Sequence, residues 1–217
     1  MNDANAVCVP ADLNVNLCQV EDQEKECKNV PFREAVGSLI FLATVSRPDI
    51  AYSVNVVSRY LNKHDDSHWQ AVKLIYKYLV GTVGLGTEYR SGGSESQLIG
   101  FTDADYVSDR DTRRSVTGYA FNLANGLVTW SSQRQKLVTP STTEAEYVAA
   151  AAAAKEALWL RSLLNDIGCR CERAIRLVKT QNITSTPNIS TSGIILSEKN
   201  LRKMKFLLIM FRHLCSV

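Results

Sequence analysis

The chain has 217 residues, of which 45% are hydrophobic, and a formal charge of +3. That is too apolar for disorder and long enough for one sizeable core or two small ones, while the near-balanced charge excludes reading a basic nucleic-acid stripe or an acidic tail from the totals. The six cysteines form no CxxC pair, which argues against structural zinc and for free intracellular thiols.

The start, "NDANAVCVPADLN" after Met1, lacks a basic beginning, an apolar stretch and a small-residue cleavage site. The run Phe206–Phe211 is far shorter than the ~20 residues of a membrane span. The expectation is an intracellular chain, in cytoplasm or nucleus, with no membrane partner.

Residues 1–30 show no sustained apolar period and read as a linker. From Pro31, Val36, Leu39, Ile40 and Ala43 recur at helical spacing, which predicts a first helix over about 32–45. "SRPDIAYSVNVVSRYL" restarts at Pro48 with Ile50, Val54, Val57 and Leu61 on one face, a second helix. Ala71, Leu74, Ile75, Tyr78 and Leu79 predict a third, stopped by Gly81. Residues 31–90 are thus expected to be a helical segment, with a boundary near Gly92 and Gly93.

Beyond it the period changes. "QLIGFTD" reads as a strand, and "TGYAFNLANGLVTWSSQ" as two more, joined at Asn125-Gly126 in a type I′ hairpin turn. "STTEAEYVAAAAAAKEALWLRSLLNDIG" runs from a Ser/Thr cap to Gly168 as one long helix. The remaining residues offer only fragments of periodicity.

Gly100–Asp111, "GFTDADYVSDRD", holds four aspartates in twelve residues. A two-magnesium nuclease needs three or four carboxylates converging from different elements, because hard cations take oxygen ligands. Asp103 at the end of the first strand and Glu146 in the first turn of the long helix are placed to contribute. The other reading stays open: Asp105, Asp109 and Asp111 as ordinary loop residues, and Glu144 as a helix-dipole partner. His64 and His68 have i, i+4 spacing but lack the glutamate of the zinc motif, so a solvated loop is expected for them. Trp69, Trp130 and Trp159 each sit in an apolar pattern and read as core.

Two long stretches carry a resemblance. "SRPDIAYSV" and "HWQAVKLIYKYL" resemble the segment after the reverse-transcriptase palm in the Pol polyprotein of copia-type long-terminal-repeat retrotransposons. "GFTDADYVSDRDTRRSVTGYAFNLANGLVTWSSQRQKLVTPSTTEAEYVAAAAAAKEALWLRSLL" is similar to that polyprotein's ribonuclease H domain. The collinear likeness covers about residues 1–179.

The resemblance implies an α/β fold: an RNase H-like mixed sheet of three antiparallel strands and a long helix, preceded by a small helical segment. It implies Asp103 and Glu146 as catalytic, metal-binding carboxylates, with Asp105 the weaker candidate, Mg2+ as the cofactor, and cleavage of RNA paired to DNA as the activity. The partners implied are an RNA–DNA hybrid and the rest of the polyprotein. Residues 95–179 correspond to a partial ribonuclease H domain. The palm with its paired aspartates would precede Met1, so polymerase activity is not expected.

The family's third aspartate sits on a fourth strand, in a motif like "LFCDNQSAIRLVKNP". Here the text is "CRCERAIRLVKTQN", with Arg170 where the aspartate would fall. The expectation is that the fourth strand is missing, leaving an exposed sheet edge, and that hydrolysis is lost. Plausible codons for Thr186–Lys199, read two nucleotides out of phase, give "TKHIDIRYHFIRE", the family's next motif. Residues 180–217 are therefore expected to be an out-of-frame tail. Arg90, Arg110, Arg113, Arg114, Arg134 and Lys136 remain as candidate phosphate contacts in a non-catalytic nucleic-acid-binding remnant, and a product without function is the third reading.

Overall fold

Three helices follow from the apolar spacing in the first third of the chain. The computed structural model describes residues 4–12, 15–19, 29–89, 98–124, 126–169, 175–179 and 193–196. These belong to two compact units, Met1–Thr87 with Arg110–Thr112, and Glu88–Asp109 with Arg113–Val217.

In the first unit, α1 (Phe32–Val45) buries Phe32, Val36, Leu39 and Ala43. A single 3₁₀ turn, Pro48–Ile50, leads into α2 (Ala51–Ser58), which buries Val54 and Val57. The second helix ends short of Leu61, which packs from outside it. α3 (Asp66–Gly81) adds Val72, Ile75 and Tyr78 to the same core. Ile40, counted among the core-facing positions from spacing, is 41% exposed.

α3 begins at a cap in which the Asp65 carboxylate accepts from Ser67 N (2.9 Å) and His68 N (3.2 Å). This satisfies two of the amides that a helix start leaves without partners. His68 is fully buried, its Nδ1 2.7 Å from Asp65 Oδ1, and His64 stacks on Phe32 at 4.1 Å between ring centroids. The solvated loop expected for these histidines is therefore corrected: His68 is a core and capping residue, and His64 packs on an aromatic ring.

The "SRPD" stretch is explained by a polar clip. Arg47 donates through Nε to Asp49 Oδ1 (3.0 Å) and through Nη2 to Asp49 Oδ2 (2.7 Å), and Nη1 reaches Thr82 O (3.1 Å) at the far end of α3. Tyr78 donates its hydroxyl to the same carboxylate (2.8 Å). Burial pushes the Asp49 carboxyl up, but the hydrogen bonds from Arg47 and Tyr78 outweigh it and hold it below the usual carboxylate range. A charge pair that is this well hydrogen-bonded is costly to break from one side.

In the second unit, β1 (Ile99–Asp109), β2 (Arg114–Leu123) and β3 (Gly126–Arg134) form an antiparallel meander. Leu123 pairs with Gly126, so Gly126 is a strand residue rather than part of the turn that the sequence suggested. Ala124 takes a positive φ of 50°, as the first position of such a tight hairpin requires. Gly126 serves a different need: a Cβ there would overlap the Tyr89 ring, whose hydroxyl donates to Leu127 O (2.7 Å).

α4 (Thr142–Asp166) starts at Ser141, whose hydroxyl accepts from Glu144 N (3.2 Å). It ends with Gly168 at φ 81°, and Cys169 N and Gly168 N close back on Leu164 O (2.9 Å) and Asn165 O (3.0 Å). That is the Schellman arrangement expected of a glycine stop. Ala149, Ala153 and Ala157 are buried, together with Leu160 and Leu164. The small alanine side chains let the helix lie close on Phe121.

The expected loss of the fourth strand is overturned. β4 (Ile175–Lys179) pairs in parallel with β1, Ile99 opposite Arg176 through Thr102 opposite Lys179, and β5 (Gly193–Leu196) pairs antiparallel with β4. The strand order is β3-β2-β1-β4-β5. Ile175–Lys179, the "IRLVK" shared with the family's motif, itself occupies the strand position. An unpaired edge on a central strand leaves a row of backbone donors and acceptors unsatisfied, and a β-branched segment within reach takes it. The exposed edge expected beside β1 is absent.

Asp49→Ala is expected to lower the stability of the first unit by about 2 kcal/mol, less than for a fully buried pair because Asp49 keeps partial solvent access. The sign with pH follows from the depressed carboxyl: its contribution is complete above the unfolded value near 4 and disappears as pH falls through the lower folded value. Urea denaturation of wild type and variant at pH 7 and pH 2.5 checks both, the difference shrinking at the lower pH.

Candidate functional site

β1 carries the acidic run. It pairs regularly with β2 from Ile99 to Asp105, then shifts register before Asp109 opposite Arg114. Inside this bulge Val107 has φ 54°, a left-handed conformation costly for a β-branched residue. Val107 N donates to Ser115 Oγ (3.1 Å), which also lies 3.2 Å from Thr139 Oγ1, so the bulge is braced from β2 and from the loop before α4. Bulges of this kind re-aim side chains at the end of a strand.

The strand alternation separates the carboxylates. Phe121 and Thr129 contact α4, Thr129 Oγ1 donating to Glu156 Oε1 (3.0 Å), and Gln135 Nε2 joins Thr117 Oγ1 (3.0 Å) to Ala145 O (2.9 Å). The helix therefore covers the face that includes Thr117, Phe121 and, by register, Gly100 and Thr102. Asp103, opposite Gly118, is exposed and shares the other face with Asp105. Glu146 sits half-buried near the start of α4.

Asp105 and Asp109 are strand residues rather than the loop residues expected. Asp109 is 1% exposed and paired with Arg134, Nη1 to Oδ2 at 2.5 Å. Its role is to balance a buried charge. Arg134 is correspondingly engaged by Asp109. Arg113 and Lys136 are exposed, Arg114 is half-buried, Arg110 belongs to the first unit, and Arg90 lies outside the described residues.

At the end of β4 the register sets Lys179 opposite Thr102, the residue before Asp103, and the following sequence is Thr180-Gln181-Asn182. Among the described residues no group of three or more His, Cys, Asp or Glu side chains could hold a metal ion. The carboxylates of the described residues alone do not make up the donor set of a two-magnesium centre.

Two residues were missed from sequence. Gln135, buried, is the bridge that fastens the first turn of α4 to β2. Tyr119 keeps its proton more firmly than an ordinary tyrosine, first because it is partly buried and second because Glu156 lies near. Neither belongs to a recognisable spacing. Trp159, expected in the core, is 56% exposed on α4. No helix among the described residues is long and apolar enough to cross a membrane.

Removing the buried Asp109 carboxylate breaks its bond to Arg134, whose guanidinium is partly exposed and can be resolvated, so Asp109→Ala is expected to destabilise the second unit by about 1–2 kcal/mol. Asp103→Asn, at an exposed position, is expected to change stability by less than about 0.5 kcal/mol. Guanidinium denaturation of the two variants distinguishes a structural aspartate from a solvent-facing one.

No protein-family model and no solved structure matches the chain. Its sequence is 43% identical over 173 residues to the retrovirus-related Pol polyprotein from transposon TNT 1-94 of Nicotiana tabacum, which covers 77% of this chain and 13% of that protein. It is 41% identical over 137 residues to the retrovirus-related Pol polyprotein from transposon RE2 of Arabidopsis thaliana, covering 63% of this chain and 9% of the relative. It is also 43% identical over 133 residues to a protein named secreted RxLR effector protein 161 in Plasmopara viticola, covering 61% of this chain and 93% of that relative. The chain thus spans a small part of the Pol relatives and nearly all of a much shorter one. These matches support reading the chain as a fragment similar to retrovirus-related Pol polyproteins of transposons.

Proposed function

We propose that the second unit is an RNase H-like domain of a transposon Pol polyprotein that no longer hydrolyses RNA in RNA–DNA hybrids. One observation carries the reading: β4 lies beside β1, where a third carboxylate would be needed, and none of its residues Ile175–Lys179 is acidic. Asp103 and Glu146 remain as the inherited carboxylates, with Asp105 as a weaker candidate. Two carboxylates without a third supply too few oxygen ligands to anchor the pair of ions that such hydrolysis uses. Residues 180–217 are read as an out-of-frame tail; a gene sequence whose shifted frame does not encode "TKHIDIRYHFIRE" over Thr186–Lys199 would remove that part of the proposal.

The purified chain is expected to leave a labelled RNA–DNA hybrid intact with either magnesium or manganese. Cleavage that disappears in Asp103→Asn would overturn the reading.

A second reading, a nucleic-acid-binding remnant, is favoured by the exposed Arg113 and Lys136 and the half-buried Arg114 near the β1–β2 turn and the end of β3. Binding of this kind rests on phosphate contacts and falls with salt. Lys136→Ala is expected to reduce the slope of log K against log salt by about 1 on a hybrid, with the loss independent of base sequence. An unchanged slope would remove Lys136 from the interface.

A further inference from the structure

α4 has two apolar faces. One, through Ala153, Ala157, Leu160 and Leu164, is buried on the sheet. The other carries Trp159, Leu163 and Ile167 at i, i+4 and i+8, exposed by 56%, 40% and 64%. Lys155 and Asp166, both exposed, flank this stripe toward its two ends, with Ser162 between them. At 3.6 residues per turn, Lys155, Trp159, Ser162, Leu163 and Asp166 fall within an arc of about 100°.

We propose that this face joins two copies of the chain through an antiparallel α4–α4 pair about a two-fold axis. In such a pair, residues equidistant from the centre face each other, so the surface must be complementary to itself. One register, centred between Leu160 and Arg161, meets two requirements together. It sets Lys155 against the partner subunit's Asp166, so opposite charges close both ends of the contact. It also sets Trp159 against the partner subunit's Ser162, a small residue that leaves room for the indole. Leu163 adds apolar area beside the indole. The parallel alternative aligns Lys155 with Lys155 and Asp166 with Asp166 and is opposed by like charges. A single helix pair buries less than standard interfaces, so the dimer is a weak one.

Sedimentation velocity on the full chain from about 5 to about 500 µM tests this, a range suited to weak interfaces. The expected result is a shift from the 24.1 kDa monomer toward twice that mass. Trp159→Glu is expected to abolish the shift, and Lys155→Glu alone to weaken it by about tenfold through like-charge contact. The combined Lys155→Glu and Asp166→Lys exchange restores it. These charged positions are solvent-facing, so circular dichroism of the Lys155 and Asp166 variants should match wild type, which keeps the test valid if Trp159→Glu fails to fold. A monomer at every concentration would overturn the proposal. So would association that the charge variants leave unchanged, which would assign self-contact to another surface such as the β3 edge.

Discussion

The parallel pairing of β4 with β1 is the contact on which the second unit depends. β1 is the middle of the sheet, and β2 satisfies only one of its edges. A central strand with one edge bare would lose a row of backbone hydrogen bonds and invite pairing with another chain. Ile175–Lys179 removes that liability with its backbone, and backbone pairing is indifferent to whether a carboxylate follows. The strand that completes the sheet, Ile175–Lys179, itself contributes no carboxylate.

This separation of fold from site explains why the acidic cluster must be divided. Asp109, at the end of β1, is committed to Arg134 and to stability. Asp103 faces solvent on the side of the sheet away from α4, while Glu146 rides on the helix that covers the opposite face. The bulge at Val107 and the bridge from Gln135 to Ala145 hold the strand end and the helix start in place. The scaffold around Asp103 and Glu146 is therefore well braced.

Much of the fold was legible in the sequence because its signals were local. The i, i+3, i+4 spacing located α1 to α3, and Ser141 and Gly168 marked the ends of α4 through hydrogen bonds made within a few residues. What was not legible depended on distant partners. β4 could not be found from "AIRLVK", since five residues with β propensity become a strand only when an open edge is available. The Asn125-Gly126 pair pointed to the right hairpin but the wrong residues, because Gly126 is demanded by the Tyr89 ring rather than by the turn. His68 resembled a loop residue until the cap from Asp65 drew it into α3. Asp109 resembled its exposed neighbours because its partner lies 25 residues further along the chain. For the site, the identities of Asp103 and Glu146 came from resemblance, and the missing third carboxylate from a departure within it; spacing alone supplied neither.

Amide hydrogen exchange along β1 tests the central claim most directly, with Leu177→Pro as the perturbation. Proline at the middle of β4 removes a ladder donor from a strand flanked on both sides. The account predicts that β1 amides facing β4 between Ile99 and Thr102 are protected in the wild type and lose protection in the variant, while amides paired between β1 and β2 keep theirs. Equal exchange at those β1 positions in both proteins would contradict it.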